Sequence, residues 1–155
     1  MAVKPIPEGY HTITPSLSLD DAASAIEFYK RAFGAEERVR MPAPDGRIAH
    51  AELKIGDSLL HLSDMFEQSV GKTPKQAGGT TMGLFLYVED IDEVYKQAID
   101  AGATSTQEPE DMFWGDRFGR VTDPFGHDWQ LATHKEDLTP EQMEERSKEA
   151  MASMS

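Results

Sequence analysis

The chain reads as an α+β protein of paired βαβββ modules, whose strands form a cup-shaped mixed sheet with the helices on the outside. Residues 16–34 (SLSLDDAASAIEFYKRAFG) and 84–102 (LFLYVEDIDEVYKQAIDAG) each run alternating strand, acidic pair, amphipathic helix and closing glycine. Self-similarity at an offset of about 68 residues marks a duplicated module. Each stretch is followed by three further strand candidates separated by turn signals. With 155 residues and 39% hydrophobic content, the chain has the size of one domain. Modules 12–64 and 82–134 must then share it, and a site is expected between them.

Residues 12–19 open the first module as a half-buried strand, with Ile13, Leu17 and Leu19 alternating against Thr12, Thr14, Ser16 and Ser18. Asp20 or Asp21 caps a helix whose Ile26, Tyr29 and Phe33 recur at helical spacing, and Gly34 supplies the stop. A modest strand over 36–41 and the turn Pro44-Asp45-Gly46 follow. Then Ala49, Ala51, Leu53 and Ile55 alternate against Ile48, His50, Glu52 and Lys54, and Gly56-Asp57 reads as a two-residue hairpin loop into a strand over 58–63.

That hairpin fixes a register. Ile55 pairs with Ser58, so Leu53 opposes Leu60, Glu52 opposes His61 and His50 opposes Ser63. Directly opposed side chains on one face have Cβ atoms about 5 Å apart. His50, Glu52 and His61 are therefore expected as one polar cluster on the face away from the helix, and they are the candidate catalytic residues. Two imidazoles and a carboxylate would suffice for a divalent metal or for general acid–base work. A self-satisfied cross-strand pair is the plainer alternative.

Residues 65–80 lack periodicity and read as the linker between modules. In the second copy, residues 82–88 place Leu84, Leu86 and Val88 toward the helix, with Gly83, Phe85 and Tyr87 on the other side. The second helix carries Ile91, Val94, Ala98 and Ile99 as its apolar stripe and stops at Gly102. Strands over 104–108, 117–122 and 129–134 complete the pattern, with Asp111-Met112-Phe113-Trp114-Gly115 and Asp123-Pro124-Phe125-Gly126 between them. Gln130 occupies the position that His61 occupies in the first copy. Thr139, Pro140 and Gln142 then announce a separate helix over 138–152 through a capping box, with Met143, Ala150, Met151 and Met154 as a weak stripe.

Composition narrows the chemistry. The absence of cysteine excludes disulfides, thiolate zinc sites and a thiol nucleophile. A formal charge of −13 argues against nucleic acid as a partner, because phosphate binding is driven by Lys and Arg. Neither a signal-peptide core nor a run of apolar residues long enough to span a bilayer is evident, so no membrane partner and a cytoplasmic location are expected. His11, His127 and His134 lie at loop or strand ends and are read as surface or capping residues. A bulge would be needed to bring His11 into the cup.

Paired βαβββ modules, an acid-capped helix after each first strand and the segment DPFGHDWQL entering the last strand resemble the vicinal oxygen chelate superfamily over roughly residues 9–134. This is the fold of glyoxalases, bleomycin-resistance proteins and extradiol dioxygenases. GRIAHAELKIGDSLLHLSD together with FWGDRFGRVTDPFGHDWQLATH is similar to its PhnB-like branch. The resemblance implies metal ligands on the first and last strand of each module, at Thr14, His61, Gly83 and Gln130, of which only His61 is a good donor. It also implies a homodimer.

The expectation is thus a small-molecule-binding protein without the usual four-ligand metal site. Thr14, Ser16, Phe85, Tyr87, Trp114 and Gln130 are expected to contact the ligand. The alternative is a lyase, isomerase or dioxygenase using His50, Glu52 and His61. Any cofactor is either none or a divalent metal held in part by His61.

Overall fold

The computed structural model describes residues 2–154 and contains two four-stranded mixed sheets. The described residues divide into two compact units: those up to Thr81 with Pro124–His127, and those from Met82 to Asp123 with those from Asp128 on.

In the first unit the elements are β1 (Ser16–Leu19), α1 (Ala22–Phe33), β2 (Glu36–Pro42), β3 (Ile48–Ile55), β4 (Ser58–Asp64) and the short α2 (Pro74–Ala77). The sheet order is β1-β4-β3-β2, with β1 parallel to β4 and the other pairs antiparallel. Asp21 caps α1 through its side chain, which accepts from the Ser24 amide, and the helix buries Ala22, Ala25, Ile26, Phe28, Tyr29 and Ala32. Leu17, Leu19, Ala51, Leu53, Leu60 and Leu62 are buried as well. Phe125 belongs to this core, edge-on to Phe28 at 6.3 Å between ring centres.

The hairpin register is as the Gly56-Asp57 loop requires: Ile55 faces Ser58, Leu53 faces Leu60 and Glu52 faces His61. Three features depart from expectation. The first strand begins at Ser16 rather than Thr12, since Pro15 offers no amide to a ladder, and Ile13, expected on the buried face, is 85% exposed. The alternation of β3 breaks at its start, where Ile48 is buried and Ala49 exposed. There Met41 pairs with His50 but Pro42 with Ile48, so Ala49 is the extra residue of a bulge. The linker holds α2, capped by Thr73 with Gln76 in a reciprocal box. Thr73 is fully buried and its hydroxyl donates to Asp20 Oδ1 at 3.0 Å.

The second unit contains β5 (Gly83–Tyr87), α3 (Ile91–Ala101), β6 (Thr104–Asp111), β7 (Asp116–Thr122), β8 (Asp128–His134) and α4 (Pro140–Ser153). Its sheet order, β5-β8-β7-β6, repeats that of the first with one parallel pair. Phe85 pairs with Gln130 as Ser16 pairs with His61, and Asp90 caps α3 as Asp21 caps α1. Helix α4 has the expected capping box of Thr139 and Gln142 but buries no residue, and Met151 and Met154 are exposed. No helix among the described residues is long and apolar enough to cross a membrane.

Candidate functional site

The polar face of the first sheet gathers four titratable side chains. Glu52 and His61 stand opposite each other on β3 and β4, and His50 lies two residues before Glu52 on the same face. His61 Nε2 is 3.5 Å and His50 Nε2 3.9 Å from Glu52 Oε1. The two imidazole rings meet edge-on at 4.7 Å. One ligand atom from each of the three residues lies within 4.8 Å of the others. Their side chains remain 22–33% exposed, so the cluster is accessible yet partly desolvated.

Tyr10 completes the cluster, and it comes from outside the sheet. Its hydroxyl donates to Glu52 Oε1 and lies 2.8 Å from His61 Nε2. A phenol has one proton to give, and Glu52 takes it; His61 therefore donates its Nε2 proton to the phenol oxygen, which fixes the imidazole tautomer. Burial, reinforced by the hydrogen bond to Glu52, pushes the Tyr10 hydroxyl up to about 12. The pair formed by Glu52 and His61 thus has one acceptor and one donor aimed at a single oxygen. That is a device for orienting a hydroxyl.

Sequence reasoning passed over Tyr10 because residues 2–11 carry no strand or helix periodicity, and residues 2–15 form no strand or helix. Its partners lie 42 and 51 positions away, a separation that no local pattern encodes. Thr14 is half-buried ahead of β1, Ser16 is exposed and pairs with His61, and His11 is exposed. His127, read as a surface or capping residue, is half-buried with its Nε2 3.1 Å from the Ser18 carbonyl.

The second unit is organised differently at the matching positions. Arg120 pairs with Gln130 where Glu52 pairs with His61. Arg120 Nη2 donates to Asp128 Oδ2 at 2.7 Å. Phe85, 44% exposed, packs 5.0 Å from Tyr87 and 5.8 Å from Phe118. Trp114 meets Phe118 edge-on at 5.6 Å. Both Tyr87 and Trp114 are also tied to the buried Asp116, with their donors 2.9 and 3.2 Å from its Oδ2.

His134 joins the same carboxylate. Its Nδ1 is 2.7 Å from Asp116 Oδ1 and its Nε2 2.7 Å from Asp137 Oδ1. The two carboxylates, Asp116 foremost, raise its pKa. His134, read as a surface or capping residue, is exposed and engaged in this ion pair.

The four positions that the resemblance assigns to a divalent metal can be tested on their donors. Thr14 and Gln130 are weak neutral ligands, and Gly83 has no side chain. The space over Gly83 is already filled: a Cβ there would clash with Gln130 Nε2 and stand 2.8 Å from Asp128 Oδ2. These residues do not fit the family's metal.

The family model described as the Glyoxalase/Bleomycin resistance protein/Dioxygenase superfamily matches residues 11–131. An uncharacterised protein of Mycobacterium tuberculosis is 47% identical over 122 residues, covering 77% of this chain and 72% of that one. Among solved structures, TioX from Micromonospora sp. ML1 matches with a TM-score of 0.63 at 29% identity, over 83% of this chain and 100% of TioX. A PhnB protein from Bacillus cereus matches in fold with a TM-score of 0.62 at 21% identity, over 79% of this chain and 99% of its own.

Proposed function

Because the chain belongs to the Glyoxalase/Bleomycin resistance protein/Dioxygenase superfamily, we propose that it binds a small organic molecule on the polar face of its first sheet. Glu52 and His61 are its polar anchors, with His50 beside them. One observation carries this reading: Glu52 and His61 converge on one hydroxyl oxygen, that of Tyr10, on a partly exposed face. A few fixed polar groups on an accessible surface are what orients a small ligand. Thr14 and Ser16 are further proposed ligand contacts on this unit; Phe85, Tyr87, Trp114 and Gln130 are proposed ligand contacts of the second unit by itself. The PhnB-like branch, a homodimer and a cytoplasmic location belong to the same proposal and rest on the sequence.

A thermal-shift screen of small hydroxylated, carboxylated and cationic compounds tests it. Compounds that stabilise the protein should lose their effect in Glu52→Gln and His61→Ala. Hits that bind both variants as well as they bind the parent chain would place the ligand elsewhere.

A metal-dependent lyase, isomerase or dioxygenase is the second reading, favoured by the mutual proximity of His50, Glu52 and His61. Tyr10 weighs against it, since an ion joining Glu52 Oε1 to His61 Nε2 would have to break both hydrogen bonds of the phenol. Metal analysis of untagged protein separates the two readings. Stoichiometric metal that disappears in His61→Ala would support the second, and metal-free protein would sink it.

A further inference from the structure

Residues 2–14 make no strand pairing, and all but Tyr10 and Thr14 are exposed. Yet this segment lies on the polar face of the first sheet. Leu59 shares that face with His61 by strand alternation, and it is only 8% exposed. A Cβ at Gly9 would stand 3.9 Å from its Cδ1, so the segment runs alongside. The Tyr10 amide donates to the Pro7 carbonyl at 3.1 Å, closing a turn that presents the phenol. The ring meets the His61 imidazole edge-on at 5.6 Å, and the hydroxyl bridges Glu52 and His61.

We propose that residues 2–14 form a strap whose Tyr10 side chain occupies the polar site in place of a ligand, and that the ligand displacing it is a hydroxylated aromatic molecule. The proposal rests on the binding reading above and gives it a ligand class. Two features of the occupant define that class. Its hydroxyl both donates to a carboxylate and accepts from an imidazole N–H, and its ring meets the His61 ring edge to face. A simple anion fails the first requirement and an aliphatic alcohol the second. An incoming phenol exchanges with Tyr10 for nearly equivalent hydrogen bonds to Glu52 and His61.

The probe is p-cresol, the Tyr side chain as a free molecule, with toluene as the control that lacks the hydroxyl. Titration calorimetry should give p-cresol an affinity at least about tenfold higher for Tyr10→Ala than for the parent chain, the size expected when a competing pair of hydrogen bonds is removed. The gain should vanish in Tyr10→Ala/Glu52→Gln, and toluene should show none. Equal p-cresol affinity for the parent chain and Tyr10→Ala overturns the strap, as does equal affinity of Tyr10→Ala for toluene.

Should the variant fold poorly, the parent chain answers by NMR. Excess p-cresol should move the Tyr10 ring signals toward those of an unstructured tyrosine while the His61 ring signals shift. His61 shifts with Tyr10 unmoved refute displacement. If screened ligands depend on Glu52 and His61 but not on Tyr10, the strap fails while the binding face stands. If no ligand depends on Glu52 or His61, the binding face itself fails.

Discussion

Tyr10 keeps its proton because ionising it would put a second negative charge beside Glu52 in a partly dry setting. Burial is the larger cause of its raised pKa and the bond to Glu52 the next. Glu52→Gln should therefore bring the Tyr10 titration down from about 12 while leaving it above that of a free phenol, which ultraviolet difference titration reads directly. An unchanged titration would mean that Glu52 does not hold the hydroxyl. The raised value also sets a direction for stability: the contribution of Tyr10 is complete below its ordinary pKa of 10.0 and is lost as pH climbs through about 12.

His134 obeys the same rule at lower pH. Asp116 and Asp137 stabilise its charged form, so its contribution is complete below 6.5 and is lost as pH rises through the elevated folded value. His134→Gln should flatten the melting temperature against pH over that interval; a variant with the parent's pH profile would contradict the ion pair. Of these residues, His50, Glu52 and His61 were legible in the sequence, because the two-residue hairpin loop leaves one register and the register sets the face. Tyr10 was not, since only the tertiary path of an aperiodic segment brings it to the sheet.

At the scale of elements, both copies solve one problem with different residues. The first amide of the helix after the opening strand needs an acceptor. Asp64, at the end of β4, takes the Ala22 amide at 2.8 Å and the Ile48 amide at 2.7 Å. Thr133 near the end of β8 takes the Ile91 amide at 2.9 Å. Asp64 is 6% exposed, so Asp64→Ala leaves two buried donors without their acceptor. It should cost about 2–6 kcal/mol, at ~1–3 kcal/mol for each of the two donors, in chemical denaturation. Thr133→Val, which orphans one donor, should cost less, and a reversed order would contradict the assignment.

Gly115 is a second point of precision. Its φ is +98°, and a Cβ would stand 2.6 Å from the Glu136 carbonyl oxygen. Gly115→Ala should destabilise by about 2 kcal/mol or more through strain and backbone clash. Periodicity made α1, α3 and the hairpin legible, and turn residues made their ends so. It overextended β1 into Thr12–Pro15, where alternation continues but Pro15 has no amide to donate to a ladder. It also missed α2, whose Thr73-Pro74-Lys75-Gln76 repeats the capping signature of Thr139-Pro140-Glu141-Gln142 in a helix too short to show a period.

For the whole molecule, the duplication explains the fold and its divergence explains the chemistry. The ladders set Glu52 and His61 of the first unit in correspondence with Arg120 and Gln130 of the second. One copy has a carboxylate and imidazoles around a hydroxyl, whereas the other has an internal Arg120–Asp128 pair and exposed Phe85 and Tyr87. Gln130 and Asp128 fill the space over Gly83, so of the two second-unit positions that the resemblance assigns to a metal, neither is a good donor and one is already occupied by side chains. The poor donors at these positions were readable in the sequence; that side chains occupy the space over Gly83 was not, because it depends on rotamers.

The central claim is that Glu52 and His61 form a ligand-binding face, and NMR of the histidine rings tests it most directly. Titrating the strongest stabilising compound from the screen should shift the ring signals of His50 and His61, with His134 unmoved, and Glu52→Gln should abolish both shift and binding. Saturating binding that leaves the His50 and His61 rings unperturbed would contradict the claim.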